Sequence, residues 1–309
     1  MIGIDVSKDK LDVYISQEKK HLVIPNTTSK INGLLKRLAN KNQLSMLVFE
    51  PTGCYSKELE VCCLKQDLPY HKVNLNKMYH FAKSTVGYAK TDKIDAALLA
   101  DYGDKNAVEP SKNNSIAQIE RQELGNLISS LKMDLAGLKS THKGIYLNKT
   151  VKKYLTKRIV QMNKDISRLT EKLDELISNE KNLLDTFHLL MTIKGVGEQT
   201  ARLMVTSMPE LGSVSREQIS ALVGVAPYNR DSGNKTGYRA IIGGRFHVRN
   251  GLYMAALVAS RYNPRMKRIY NDLLARGKKP KVALVALMRK MLIMMNAMVK
   301  NNQPWSTEI

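Results

Sequence analysis

Cysteine is scarce in this sequence. The three cysteines, Cys54, Cys62 and Cys63, follow no zinc-ligand spacing, and their odd number argues against a disulfide framework. We therefore interpret them as small core residues of a protein in a reducing compartment.

Long hydrophobic runs are also missing. We find no uninterrupted apolar stretch long enough to span a bilayer. The first residues follow a strand-like pattern and lack the layout of a signal peptide. We therefore expect no membrane partner and a cytoplasmic, nucleoid-associated protein.

Acidic residues are few compared with basic ones. The 309 residues contain 28 Asp and Glu against 49 Lys and Arg, a formal charge of +21 with an isoelectric point near 9.8. A surplus of this size predicts a polyanionic partner, with nucleic acid as the first candidate. The length allows two or three domains, each with its own core.

Four of the carboxylates stand out by their position. Asp92 and Asp95 are three residues apart at the start of an Ala- and Leu-rich helix, so they leave the same face. Acids are common in a first turn, where the helix dipole favours them. However, Asp5 lies within an apolar strand, and Glu50 ends another strand just before Pro51. Buried acids are costly unless paired or metal-bound, and four together suit Mg²⁺.

The order of elements predicts the fold around these acids. Three strands come first, between residues 1 and 24, and helices then alternate with strands that include Glu50 and residues 70–75. This is the order of an α/β RNase H-like domain, which we assign to residues 1–110. In that architecture the first and fourth strands are neighbours, so Asp5 and Glu50 would be adjacent.

The middle of the chain reads as long helices. Pro110 is the last proline before Pro209, and leucines and isoleucines three and four residues apart form two seams typical of a coiled coil. We assign residues 111–185 to a coiled-coil hairpin that serves oligomerisation or reach, and we expect a dimer or tetramer. Its many lysines could follow phosphates, but a solvated outer face is the commoner explanation.

Residues 186–309 are expected to form a mainly α C-terminal domain. Residues 191–201 resemble a helix-hairpin-helix element, in which Lys194, Gly195 and Gly197 would contact a phosphate at a helix N-terminus. An ordinary glycine-rich turn is the alternative.

A second glycine-rich stretch, between residues 223 and 251, surrounds Ser232 with basic side chains. A Ser-Gly pair in a loop is far more often a turn than a nucleophile, but guanidinium groups nearby could bind a scissile phosphate. The basic residues that we expect to contact nucleic acid here are Arg230, Lys235, Arg239, Arg245 and Arg249.

These segments resemble a known family. Residues 2–8, 49–53 and 90–96 resemble the three acidic motifs of DEDD transposases from a bacterial insertion-sequence family, family one-ten. Residues 224–227 and the Ser232-Gly233 pair resemble the C-terminal transposase domain of that family. The resemblance covers nearly the whole chain, and it is the conjunction of both halves that is specific.

The resemblance implies a RuvC-like N-terminal domain, a coiled-coil insertion and a C-terminal domain with a nucleophilic serine. It implies that Asp5, Glu50, Asp92 and Asp95 hold Mg²⁺ and that Ser232 attacks the DNA phosphodiester. It further implies that a guide RNA, the bridge RNA, selects the element ends and the target DNA by base pairing.

Three functions therefore compete. The first is an RNA-guided DNA recombinase. The second is a RuvC-like, structure-selective nuclease such as a junction resolvase, in which water attacks and Ser232 is only part of a loop. The third is a nucleic-acid-binding protein with a decayed site. The intact acidic set argues against the third, and the Ser232 loop together with the resemblance argues against the second.

Overall fold

A computed structural model describes residues 1–40, 46–85, 92–111, 115–228, 237 and 239–306. The chain divides into two compact units, Met1–Ile116 and Ala117–Ile309. The three-part division into residues 1–110, 111–185 and 186–309 stays a prediction.

The first unit alternates strands and helices after an initial three-stranded meander. Its elements are β1 (Ile2–Val6), β2 (Lys10–Ile15), β3 (Lys20–Pro25), α1 (Thr28–Asn40), β4 (Leu47–Phe49), α2 (Lys57–Lys65), β5 (Tyr70–Lys72), α3 (Leu75–Thr85) and α4 (Asp92–Lys105).

The five strands form one mixed sheet in the order β3-β2-β1-β4-β5. The pairs β1–β2 and β2–β3 are antiparallel, whereas β1–β4 and β4–β5 are parallel. The expected adjacency of the first and fourth strands is therefore confirmed, and the strand order is the one expected of an RNase H-like domain.

Each face of this sheet packs against a different pair of helices, because side chains alternate along a strand. On one face, Ile2, Ile4 and Phe49 join a core with residues of α1 and α2. On the other face, Val48 joins a core with residues of α3 and α4, among them Leu99.

The strand expected at residues 70–75 is shorter than predicted. It ends at Lys72, and α3 already begins at Leu75. The side chain of Asn74 accepts hydrogen bonds from the backbone N–H groups of Asn76 and Lys77, at 3.0 and 3.3 Å. This Asn therefore starts the helix and ends the extended segment.

The second unit is almost entirely helical. It contains α5 (Ile116–Gly144), α6 (Lys149–Ser178), α7 (Lys181–Met191), α8 (Glu198–Ser207), α9 (Arg216–Val223), β6 (Pro227–Tyr228), β7 (Ala240–Ile241), α10 (Phe246–Tyr262), α11 (Pro264–Ala275) and α12 (Pro280–Asn301). The strands β6 and β7 pair with each other, antiparallel.

The two long helices α5 and α6 run back against each other as a hairpin, in which His142 Nε2 lies 3.0 Å from Thr156 Oγ1. Asn148 caps α6 by accepting a hydrogen bond from the N–H of Val151 at 3.0 Å. Within the chain, Ile128 of α5 and Leu173 of α6 are buried in the core of the second unit. The coiled-coil assignment and self-association through this hairpin stay predictions.

Helix α12 differs from the expectation that no stretch could span a membrane. Within the described residues it is the one helix whose length and apolar composition would allow this, at 22 residues. Its apolar run is not uninterrupted, because Arg289 and Lys290 lie within it. Half of its most apolar window is buried, and Met291 and Met295 lie in the core. Core helices meet the same criterion.

Candidate active site

Two of the predicted acids lie on one face of the sheet, at the carboxyl ends of neighbouring strands. Ile4 and Phe49 are register partners in the parallel pair of β1 and β4, so Asp5 and Glu50 each follow by one residue. Since Ile4 and Phe49 both enter the core with α1 and α2, Asp5 and Glu50 are on the opposite face. Both acids are half-buried.

The other two acids begin the helix that covers this face. Helix α4 lies antiparallel to β1, because Met1 is against Gly103 while Gly3 is against Ala96 and Ala100. Continuing in this direction brings the first turn of α4, which carries Asp92 and Asp95, beyond Gly3 toward Asp5. We call this region, Asp5 and Glu50 with Asp92 and Asp95, the acidic edge.

An asparagine ties the loops that flank the acidic edge. The side-chain amide of Asn26 donates hydrogen bonds to the carbonyl oxygens of Ser7, at 2.9 Å, and Tyr55, at 3.1 Å. Ser7 follows β1 and Tyr55 lies in the loop after Glu50. The two loops that leave the carboxyl ends of these strands are therefore held by one side chain.

Two further residues lie at this edge that the sequence did not single out, Asp12 and Lys10. Asp12 is the register partner of Asp5 in the antiparallel pair of β1 and β2, and its side chain is only 6% exposed. The Lys10 ammonium lies 3.0 Å from Asp12 Oδ2 and 2.8 Å from Asp92 Oδ2. His21 Nε2 approaches the other oxygen of Asp12 at 3.1 Å.

The charge of Lys10 is fixed by this arrangement. Hydrogen bonds with Asp92 and with Asp12 raise the pKa of the Lys10 ammonium above its ordinary value. It therefore stays protonated at physiological pH and links the first turn of α4 to β2. A signal for Asp12 was present in the sequence, because it too is an acid between apolar strand residues, Leu11 and Val13.

The acidic edge fits a hard divalent cation by its donor chemistry and by its place in the fold. Carboxylate oxygens are the ligands that Mg²⁺ prefers. Among the described residues, however, no group of three or more Asp, Glu, His or Cys side chains is close enough to hold a metal ion.

Two arginines predicted to contact nucleic acid are engaged within the protein. Arg245 forms a two-point ion pair with Glu210, at 2.6 and 2.7 Å, and donates to the carbonyl oxygen of Ser207. Arg249 donates to the carbonyl oxygen of Gly243 at 2.5 Å, and Val223 O and Gly224 O lie at 3.3 Å. Contact with nucleic acid by these arginines stays a prediction.

Arg249 stabilises a crossing of the backbone at the base of the serine loop, since its acceptors belong to the two segments that cross. A β-carbon on Gly224 would lie 2.1 Å from the carbonyl oxygen of Gly243, and one on Gly244 would lie 2.2 Å from the Gly224 nitrogen. All three glycines have positive φ, between 64° and 73°. We call this contact the glycine crossing. Next to it, Tyr228 pairs with Ala240 and closes the segment 229–239.

Ser232, Arg230 and Lys235 lie outside the described residues, so their roles stay predictions. Arg239 is exposed on the same segment.

The predicted helix-hairpin-helix glycines have different surroundings. Gly195, with φ +110°, lies against α10, where a β-carbon would be 2.8 Å from that of Ala259. Gly197 starts α8 and has open space around it. The backbone carbonyl of exposed Lys194 accepts a hydrogen bond from Asn263 at 3.0 Å. Phosphate binding at this helix start stays a prediction. The negative charge of Glu198, in the first turn of α8, would repel an anion there.

Comparison with known proteins matches both units to transposases. Residues 2–145 match a transposase family of the IS110 DEDD type, and residues 187–271 match the transposase IS116/IS110/IS902 family. The pilin gene-inverting proteins of Moraxella bovis and Moraxella lacunata are each 29% identical over 271 residues. These alignments cover 85% of this chain and 82% of each relative.

Proposed function

The chain belongs to the IS110-type DEDD transposases and is an enzyme that acts on DNA; from this premise, we propose how it cuts and rejoins strands. The proposal joins Mg²⁺ at the acidic edge, a nucleophilic serine at Ser232, and a guide RNA that selects the element ends and the target. Its N-terminal unit has the RNase H-like fold implied by the DEDD family.

The observation that carries the proposal is the acidic edge. Register and helix packing bring Asp5 and Glu50 to the same face as the first turn of α4, which carries Asp92 and Asp95. These four carboxylates would hold the cation. When bound, Mg²⁺ would neutralise charge on the phosphate and on the attacking and leaving oxygens.

In this proposal, Ser232 supplies the attacking oxygen. Its Oγ forms a bond to phosphorus while the bond to one sugar oxygen breaks, so a phosphoserine ester replaces a DNA phosphodiester. The serine proton goes to solvent and the released sugar oxygen takes one up. Because the number of phosphate esters is unchanged, attack by another strand hydroxyl can rejoin the DNA without an external energy source.

The relatives favour rejoining over cutting alone. They are named for inverting a pilin gene, and an inversion requires that cut strands be joined again. The junction-resolvase alternative, in which water attacks, would leave open ends. The acids and the serine belong to different units, so the proposal requires both units to act on one phosphodiester, within one chain or between subunits of an oligomer.

Nucleic-acid binding follows from the charge of +21. Arg230, Lys235 and Arg239 would contact the phosphate near Ser232, while Arg245 and Arg249 would hold the base of the loop in place. The guide RNA would be bound through its shape and backbone, as expected for a protein whose target is selected by base pairing.

The test is DNA cleavage by the full chain with labelled DNA from the ends of its element, RNA transcribed from the adjacent noncoding segment, and Mg²⁺. Asp5→Asn should abolish cleavage and keep the fold, since it removes charge from a crowded acidic site. Asp9→Asn, at an exposed acid in the next turn, is the matched control and should cleave normally. Cleavage that persists in Asp5→Asn or in excess chelator would contradict the proposal.

A further inference from the structure

The positively charged side chain of Lys10 lies at the acidic edge, in contact with one of the proposed metal ligands, Asp92. It is the first residue of β2, and its ammonium bridges Asp92 Oδ2, at 2.8 Å, and Asp12 Oδ2, at 3.0 Å. The two carboxylates differ in exposure, since the Asp12 side chain is 6% exposed and that of Asp92 is 56% exposed. One partner is therefore fixed in the sheet, and the other lies on the surface of α4.

This bridge conflicts with metal binding by Asp92. Mg²⁺ binds carboxylate oxygens at about 2.0–2.1 Å. The ammonium already occupies the same carboxylate, and two cations on one carboxylate group repel each other.

We propose that Lys10 is an internal counter-ion that binds Asp92 in the metal-free protein and must release it when a divalent cation binds. The inference rests on the proposed function, because it takes Asp92 as a metal ligand. Lys10 is a positioning residue in this scheme. Asp12 would keep the Lys10 ammonium paired after Asp92 is released. This role accounts for the burial of Asp12, an acid on the strand next to that of Asp5.

Competition of this kind predicts that metal binding improves when the lysine charge is removed. Lys10→Met and Lys10→Gln should lower the apparent Kd for Mn²⁺ by roughly two- to fivefold, the effect expected of a partly exposed ion pair. Lys10→Arg keeps the charge and should stay near the wild-type value. A lysine with a merely structural role would leave the Kd unchanged or raise it.

The experiment is a titration of the full chain with Mn²⁺, without nucleic acid, in which free Mn²⁺ is measured by electron paramagnetic resonance. Lys8→Met is the matched control, because it removes the same charge from an exposed position in the neighbouring turn. Tighter binding in both Lys10→Met and Lys10→Gln, but not in Lys8→Met, supports the inference.

Two outcomes would overturn the inference, and only one of them would also overturn the proposed metal site. If the wild type binds Mn²⁺ and the Lys10 variants bind equally or more weakly, the counter-ion role is wrong and the proposed metal site stands. If the wild type binds no Mn²⁺, the proposed metal site fails together with the inference.

Discussion

Gly3 lies in direct contact with the backbone of Ala96. A β-carbon on Gly3 would be 2.0 Å from the Ala96 carbonyl oxygen and 2.5 Å from the Ala100 nitrogen. Helix α4 can therefore lie directly on β1 only because residue 3 has no side chain. This contact sets the distance between Asp5 and the first turn of α4.

Gly3→Ala should destabilise the first unit by about 1–3 kcal/mol or more, since backbone atoms cannot yield as a flexible side chain can. DNA cleavage should fall with it, because α4 carries two of the proposed ligands. The measurement is urea unfolding of the full chain, followed by a cleavage assay under native conditions.

Gly33→Ala is the matched control for this substitution. Gly33 lies within α1, is exposed, and has no atom within 4 Å of an added β-carbon. The change should stabilise the helix by roughly 0.5–1 kcal/mol through the better helix propensity of alanine. A Gly3→Ala protein as stable as the wild type would show that α4 does not lie on β1 as described.

Ser232→Ala tests the nucleophile. It should remove both strand exchange and the covalent protein–DNA adduct, yet leave RNA binding nearly unchanged, because one hydroxyl contributes little to a basic interface. The measurement uses labelled DNA with guide RNA and Mg²⁺, quenched in detergent and analysed with and without protease. Thr236→Ala, four residues further along the sequence, is the control and should still form the adduct. Cleavage at the wild-type rate by Ser232→Ala would favour the resolvase-like alternative.

The α5–α6 hairpin is predicted to mediate self-association. The sequence suggests Leu131→Asp with Leu169→Asp as a test, but Leu169 packs against the core of the second unit, so this pair should also lower stability. Leu147→Asp avoids that cost, since Leu147 is 95% exposed at the hairpin tip. It should reduce the mass measured by light scattering without changing the melting temperature. A wild type that is monomeric with and without nucleic acid would refute self-association.

His247 should make stability depend on pH. Burial, and secondarily the charge of Arg245, lower the pKa of His247 below its ordinary value of 6.5. The unfolded chain then binds a proton more readily than the folded one, so stability is full above the ordinary pKa and falls as pH drops below it. His247→Gln should make the melting temperature depend less on pH between about pH 7 and pH 5. His80→Gln, at an exposed histidine, should retain the wild-type slope.

The order of elements was sufficient to predict that the first and fourth strands are neighbours, and an acid between apolar strand residues was sufficient to single out Asp5. The same reasoning would have identified Asp12, which also lies between apolar residues of a strand. It could not have identified the bridge by Lys10, because the partner Asp92 is 82 residues away and depends on how α4 lies on the sheet.

Arg245 shows a case in which the sequence context favoured a contact with nucleic acid and the structure shows an ion pair within the protein. In the sequence it belongs to a run of basic residues that favours phosphate binding, and no local signal distinguishes a guanidinium that faces DNA from one paired within the protein. Its partner Glu210 is 35 residues away and follows α8. Basic residues in a glycine-rich loop therefore predict an electrostatic surface better than they predict individual contacts.

The glycine crossing has a consequence for how such enzymes diversify. The crossing and the β6–β7 pair hold together the described residues on either side of the segment 229–239. The entropic cost of closing a loop grows only with the logarithm of its length. Insertions or exchanges within this segment would therefore cost little stability, and the same flanking residues could accept loops of different reactivity. Substitution of Gly224, Gly243 or Gly244 would not be tolerated in the same way.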